Sequence, residues 1–478
     1  MAVEAVAPAA ARRRRGILTA RPRPLAVVAS VGLALALATT AWFALAAAAR
    51  PSVLSPPTLR THAPWLLGPL RGILDSETSI HVIHLQTGIA VGLGVLGLAW
   101  LIAWAAADAL PYKVVFGAVG AAQALIVLGP PQPLTDVFNY VVYGRMALDG
   151  SNPYTHVPAT SAHRDVAYAL SNWHHLPSPY GPLFTLASAP LGLISAQAAL
   201  VVWKAVVLGC ALGTLALTAS LARRYDRSPQ RAIACVGLCP VTLIYGIGGL
   251  HNDGPSIVAL LGATVLITRR ESTPKGDAIA GALVVAAAGL KPSFAVVVPL
   301  IVLGARDRPA AFAGAAAAGA ATLAVITLVF GGALPALSIQ DRLVTPLSLP
   351  NLGGLGAGHG GADAGVRAAA RDLLAVVTLA GIVAVAYRRR LAPAVIGLTL
   401  LAALLTVAWV MPWYLAWSLP FLALVPRARI MPVVVLLTVW LAVGAAPQLP
   451  KVLHAVNYYP TRTVTGLQNH DLETELVR

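Results

Sequence analysis

Polar positions in this chain punctuate long apolar runs; they do not alternate with hydrophobic ones. The runs PLAVVASVGLALALATTAWFALAAAA (24–49) and IAVGLGVLGLAWLIAWAAA (89–107) have the length of a bilayer-spanning helix, which takes about 20 apolar residues. They predict helices over 25–49 and 85–107, and similar runs predict more over 113–130, 198–222, 232–249, 254–268, 310–331, 371–387, 391–410, 413–425 and 430–446. The run 278–304 is interrupted by Lys291-Pro292. Proline removes a backbone donor there, so this run reads as a hairpin of two short helices. The pattern predicts an all-α polytopic membrane protein with about thirteen transmembrane helices. A basic N-terminus (1–24) precedes the membrane domain (25–447), which contains a large polar segment, 131–197, bearing short interfacial helices; a tail (448–478) follows.

Composition agrees. Of 478 residues 58% are hydrophobic and 11% charged, whereas roughly a quarter are charged in a soluble domain. The formal charge of +16 would suit nucleic acid if the cations formed a surface, but they lie in short clusters between apolar runs. These are Arg12 to Arg15, Arg223/Arg224/Arg227/Arg231, Arg269/Arg270/Lys275, Arg306/Arg308, Arg388 to Arg390 and Arg427/Arg429. Threading the chain with a cytoplasmic N-terminus puts every cluster on the cytoplasmic side, the positive-inside arrangement. That accounts for the charge without a nucleic-acid partner. The same threading puts 131–197, the tail and all eleven histidines at the extracytoplasmic face. The stretch ARRRRG before the first run looks like a signal peptide, yet the run exceeds the roughly 7–15 residues of such segments, so a retained anchor is expected. Cys210, Cys235 and Cys239 lie inside apolar runs and read as small buried hydrophobes, with no disulfide or zinc framework.

Against this background TDVFNYVVYGRMALDGSNPYTHVP (135–158) is dense in hydrogen-bonding groups. Read as a helix capped by Thr135, it puts Asp136, Asn139, Tyr140 and Tyr143 on one face, at i, i+3, i+4 and i+7. A carboxylate so flanked at the membrane surface suits a general base; the plainer use is a helix-terminal cap. Arg145, Asn152 and Tyr154 follow as candidate substrate-binding groups. The stretch SNWHHLPSPYGPLF adds Trp173, His174, His175 and Tyr180, which fit a sugar site or an interfacial aromatic belt. GGLHNDG (248–254) supplies His251, Asn252 and Asp253. Such residues are also ordinary turn formers; His251 and Asp253 make two donors for a divalent cation, without a third. Lys291 in AAAGLKPSFAVVV is costly in lipid, so it is either a cation for a phosphate or the partner of a structural carboxylate. Lys204, Arg145 and Arg342 could join that pocket or snorkel to the interface. Finally WVMPWYLAW (409–417) presents Trp413 and Tyr414, as belt residues or as a substrate lining.

In this order, TDVFNYVVYGRMALDGSNPY, PSPYGPLF, GGLHNDG, LKPSF and PWYLAW resemble the polyprenyl-phosphate-mannose-dependent α-(1→6)-mannosyltransferases of the actinobacterial cell envelope. These belong to the multi-pass glycosyltransferases with the GT-C fold. The resemblance implies a plasma-membrane enzyme that moves mannose from polyprenyl-phosphate-mannose to the 6-hydroxyl of an α-mannan acceptor of lipomannan type, at the outer face. It implies inversion, Asp136 as general base and Lys291, with Arg145, beside the leaving phosphate. Its partners are then the lipid-linked donor, a glycolipid or mannan acceptor and membrane lipids; the one cofactor candidate is a divalent cation. Two features depart from the pattern. Two helices precede the one leading to Asp136, and Met411 stands before Pro412 where a histidine is expected.

Two rival readings differ in class and in sugar. A transporter gathers polar groups at the bilayer midplane and shows internal repeats; here the midplane is nearly bare and no repeat is visible. A sibling enzyme using polyprenyl-phosphate-arabinofuranose shares lipid and phosphate, and the motifs that bind those parts do not select the sugar.

Overall fold

The computed structural model describes residues 23–49, 54, 63–74, 82–161 and 164–477, with backbone alone for 82–85. The cluster Arg12 to Arg15 and the residues His62, His81 and His163 lie outside the described residues. All regular structure among the described residues is helical. The chain opens with α1 (Arg23–Ala48), α2 (Val82–Ala106) and α3 (Tyr112–Leu128), α1 packing on both others. Three short helices follow, α4 (Asp136–Leu148), α5 (Val166–Leu170) and α6 (Pro182–Ser188). The middle of the bundle comprises α7 (Ala196–Arg224), α8 (Pro229–Gly237), α9 (Asp253–Ile267), α10 (Pro274–Leu290), α11 (Val298–Gly304) and α12 (Arg308–Leu328). After α13 (Leu337–Gln340) and α14 (Leu349–Gly356) come α15 (Ala364–Tyr387), α16 (Ala392–Thr406), α17 (Leu415–Leu422) and α18 (Arg427–Ala445). The last elements are α19 (Leu449–Ala455) and α20 (Val464–Val477).

Among the described residues, seven segments are long and apolar enough to cross a membrane: Arg23–Ala48, Gln86–Ala109, Ala196–Arg224, Arg308–Leu328, Ala364–Tyr387, Arg389–Thr406 and Arg427–Ala445. Their outward residues are apolar as well, with Val31, Leu323, Leu379 and Leu436 all exposed. In a soluble protein such faces would be covered; here they belong to a membrane protein.

Local chemistry sets the breaks. α10 ends at Leu290, Lys291 is extended (φ −140°, ψ 109°), and a tight turn over Pro292–Val297 leads into α11. This is the hairpin expected from the Lys-Pro step. The single helix expected over 232–249 is interrupted instead. α8 stops at Gly237, before Pro240, and the chain resumes in a π-helical turn, Thr242–Ile247. Proline has no N–H to continue the ladder, and wide turns of this kind often occur at functional sites. α15 starts at Ala364, ahead of the expected 371, because the Asp363 carboxylate accepts from Val366 N at 2.8 Å and caps the helix.

The described basic clusters meet at one end of the bundle. Arg224 donates to the carbonyl of Val265 and to Thr268, Arg227 to Leu424 O (3.0 Å) and Arg308 to Ala386 O (2.8 Å). Each partner lies in or just beyond the last turn of a helix, where unsatisfied carbonyls and the helix dipole favour a cation. The 131–197 segment and the turns at 248–254, 291 and 409–414 gather elsewhere, around a common cavity.

α10, which delivers Lys291, lies against α12 at backbone contact. A Cβ on Gly281 would stand 1.9 Å from Ala311 O, and one on Gly314 would stand 1.9 Å from Ala278 O. Only glycine fits this crossing. Gly281→Leu and Gly314→Leu should each destabilise by about 1–3 kcal/mol or more, read as a lower melting temperature in detergent. Gly319→Ala, on α12 with open space around it, should not lower it.

Candidate active site

A backbone bond from Gln132 N to Gly248 O (3.0 Å) ties the approach to α4 to the 248–254 turn. α9 begins at Asp253, so His251 and Asn252 end that turn. Asp136, the first residue of α4, therefore meets His251, with its Oδ2 3.1 Å from Nδ1. Its Oδ1 accepts from Nδ2 of Asn139 (3.3 Å) and of Asn172 (3.0 Å). Asn139 Oδ1 accepts in turn from the backbone N of Asn172 (2.8 Å) and of Trp173 (3.3 Å). Thr135 does not cap α4 through its side chain; its hydroxyl donates to Asn172 Oδ1 at 2.7 Å. Asp136 is no cap either, since its hydrogen bonds run to side chains.

His251 is buried and stacks on Trp413, with centroids 3.4 Å apart and an interplanar angle of 11°. Its Nε2 has no hydrogen-bond partner among the described residues. Two residues on, buried Asp253 accepts from Lys291 Nζ at 2.7 Å and from Trp417 Nε1 at 2.5 Å. The ammonium also lies 5.1 Å from the Tyr414 ring and 5.2 Å from the Trp417 ring, within cation–π range. Those two rings stack at 4.2 Å.

Asp136, His174, Tyr180, His251, Asn252, Lys291, Trp413 and Tyr414 all line one cavity of about 320 Å³. A second chamber of about 190 Å³ adjoins it and shares Tyr180, Asn252, Lys291, Gln340, Trp409 and Tyr414. The sequence reading missed Asn172, Gln340 and Val477, which also line the larger cavity. Asn172 carried no local signal; its link to Asp136 spans 36 positions of chain.

The remaining candidates lie elsewhere. Tyr140 is enclosed edge-on by Tyr180, Phe184 and Trp203, and Tyr143 donates to Leu176 O at 2.6 Å; both back the cavity wall without lining it. Arg145 pairs with Asp165 at 2.5 Å and donates to Gly192 O at 3.2 Å, so it does not join Lys291. Although partial burial opposes it, this pairing holds the Asp165 carboxyl below the usual carboxylate range. Asn152 donates to Phe330 O, and the Tyr154 hydroxyl reaches Tyr180 O and Thr185 Oγ1; both fasten the loop after α4. The His175 side chain is exposed; its backbone N donates to Leu476 O. Lys204 donates to Gly129 O, and Arg342 is exposed.

No group of three or more His, Cys, Asp or Glu among the described residues is placed to hold a metal ion. Asp253 is neutralised by Lys291 and His251 is engaged with Asp136, so the expected pair of cation donors is committed to other partners.

Residues 54–306 match the family model described as alpha-(1->6)-mannopyranosyltransferase, N-terminal domain. The chain belongs to this α-(1→6)-mannopyranosyltransferase family. Alpha-(1->6)-mannopyranosyltransferase A of Mycobacterium tuberculosis is 28% identical over 415 residues, covering 73% of this chain and 75% of that protein. The protein of that name in Corynebacterium glutamicum is 25% identical over 276 residues, 52% of this chain, and the match spans about half of the relative, 55%. The corynebacterial alpha-(1->6)-mannopyranosyltransferase B is 28% identical over 184 residues, 34% of this chain and 30% of that protein. No solved structure matches the chain. The family match includes Asp136, Asn172, His251, Asp253 and Lys291 and stops before the aromatic strap at 409–417.

His251→Asn keeps an N–H near the Nδ1 position, whereas His251→Phe removes the donor and keeps a ring on Trp413. If the bond to Asp136 matters, mannosyl transfer in membranes should fall within about tenfold for the first and about a hundredfold for the second. Equal losses would assign His251 to packing.

Proposed function

We propose that this protein transfers mannose from polyprenyl-phosphate-mannose to the 6-hydroxyl of an α-mannan acceptor, with inversion, at the extracytoplasmic face of the plasma membrane. The observation that carries this reading is the Asp136 carboxylate, held by three side-chain donors on the wall of the cavity that Lys291 also lines. An ionised carboxylate offers about four lone-pair sites. Three are engaged, which leaves one for an acceptor hydroxyl.

In this reaction the acceptor oxygen attacks the anomeric carbon, the C–O bond to polyprenyl phosphate breaks, and Asp136 takes the hydroxyl proton. The leaving phosphate departs as an anion and needs no acid. Lys291 has three N–H donors and Asp253 takes one, so the others are available to phosphate oxygens as negative charge develops. Pairing with Asp253 makes Lys291 a fixed donor and cancels most of its net charge. The separate cationic cluster with Arg145, Lys204 and Arg342 is not part of this reading. His251, Asn252, Tyr180, Trp413 and Tyr414 would form the walls around donor and acceptor sugars.

Counting α8 with its π-turn as one crossing, the 274–304 hairpin as two and the remaining apolar helices as one each supports about thirteen crossings, the topology of a GT-C enzyme with a cytoplasmic N-terminus. All described basic clusters then share one side with that terminus, and the cavity opens on the other.

The deciding assay compares wild type with Asp136→Asn, at matched expression in membranes, using polyprenyl-phosphate-mannose and a short α-(1→6)-mannoside. Asp136→Asn should lose about 10²–10⁴-fold in rate, the contribution of a general base, and Lys291→Met about 10²–10³-fold. Equal rates for wild type and Asp136→Asn would exclude Asp136 as base. Transfer by wild type from the arabinofuranosyl donor alone would exclude mannose.

A further inference from the structure

α20 lies outside the segment matched by the family and was expected only as part of a tail, yet it forms part of the cavity. Val477 lines it directly. Leu472 and Leu476, one turn apart, are buried against Leu176 and Leu343 and pack on Trp173 and Trp409. Those two tryptophans line the same cavity and meet edge to face at 6.0 Å. Polar anchors to separate loops hold the helix. Thr465 Oγ1 donates to Asn351 Oδ1 (3.2 Å), Val344 N donates to Asn469 Oδ1 (2.7 Å), and His175 N donates to Leu476 O (3.0 Å).

The two sides of the cavity differ in chemistry. At Leu134, Met411 and Trp413 it adjoins an apolar chamber of about 270 Å³, lined by Trp440, Leu441 and Ala445 of α18. The α20 side carries exposed His470, Asp471 and Glu475. Three ionisable groups within six positions do not belong in hydrocarbon, so the side that α20 closes faces water. A hydrophilic glycan arrives from water.

We propose that α20 is the water-side wall of the acceptor site, and that Leu472, Leu476 and Val477 limit it to an unbranched chain end. This rests on the transfer reaction proposed above. The helix touches the cavity through Val477 and backs the lining pair Trp173 and Trp409 with Leu472 and Leu476; these three apolar side chains make no directional bond to a sugar, so it selects by shape. A substituent on the sugar next to the attacking residue would meet Val477 or the Trp173–Trp409 pair.

The test uses the full chain in membranes, comparing wild type with a Leu472→Glu/Leu476→Glu variant that unseats the helix. The acceptors are a linear α-(1→6)-trimannoside and the same trimannoside carrying a 2-O-linked mannose. Wild type should prefer the linear acceptor in kcat/KM, and the variant should lose about tenfold or more of that preference, with the donor KM unmoved. A parallel change for both acceptors, or a shift in donor KM, would overturn the proposal while leaving the transfer reaction intact. Absence of transfer by wild type would remove both. A second measurement needs no turnover. Leu472→Cys is labelled with a membrane-impermeant maleimide, without donor, against the background of the parent chain. The linear acceptor should slow labelling by seating the helix. Unchanged or faster labelling would show that α20 is not a wall the acceptor uses.

Discussion

A carboxylate can stay ionised inside an apolar bundle only if side chains replace the water it has lost. Two carboxylates here are held by side-chain donors, although Asp253 Oδ2 has no partner among the described residues. Asp136 is bound by Asn139, Asn172 and His251, and Asp253 by Lys291 and Trp417. The donors come from α4, the loop before α6, the 248–254 turn, the α10–α11 link and α17. Binding the two acids therefore draws five distant parts of the chain to one place. His251 and Asp253 are two residues apart, so a single turn serves both.

The aromatic residues give this polar centre its rigidity. Trp413 lies flat on His251, while Tyr414 and Trp417 flank the Lys291 ammonium. Tyr140 and Phe184 press on Tyr180 from behind, and Trp203 backs both of them. A ring stacked on an imidazole fixes its plane, and the imidazole then fixes the carboxylate. Lys291 is positioned in the same way, by backbone contact between α10 and α12 and by the extended conformation that precedes Pro292. The cavity is bounded by an apolar chamber against α18 on one side and by the acidic α20 on the other, so its two sides differ in polarity.

Periodicity alone showed the long helices, the Lys-Pro hairpin and the i, i+3, i+4, i+7 face of α4, because each depends on residues close in sequence. It failed where a local rule met a tertiary competitor. Thr135 looked like a cap, but Asn172 takes its hydroxyl. Arg145 looked like a phosphate ligand, but Asp165, twenty positions on, engages it. Asn152 and Tyr154 looked suited to substrate, yet they bind the loop to Phe330, Tyr180 and Thr185.

The sequence by itself determined that this protein is helical, belongs in a membrane and gathers basic clusters away from its polar loops, since length, hydropathy and charge clustering are properties of a linear pattern. It also determined which acids and cation were too costly in an apolar chain to lack a purpose. Only the tertiary structure decided that Asp136 meets His251 and Asn172, that Lys291 is already paired, and that α20 returns to the cavity wall. Those outcomes depend on hydrogen bonds and ring contacts between residues far apart in the chain, which no spacing rule encodes.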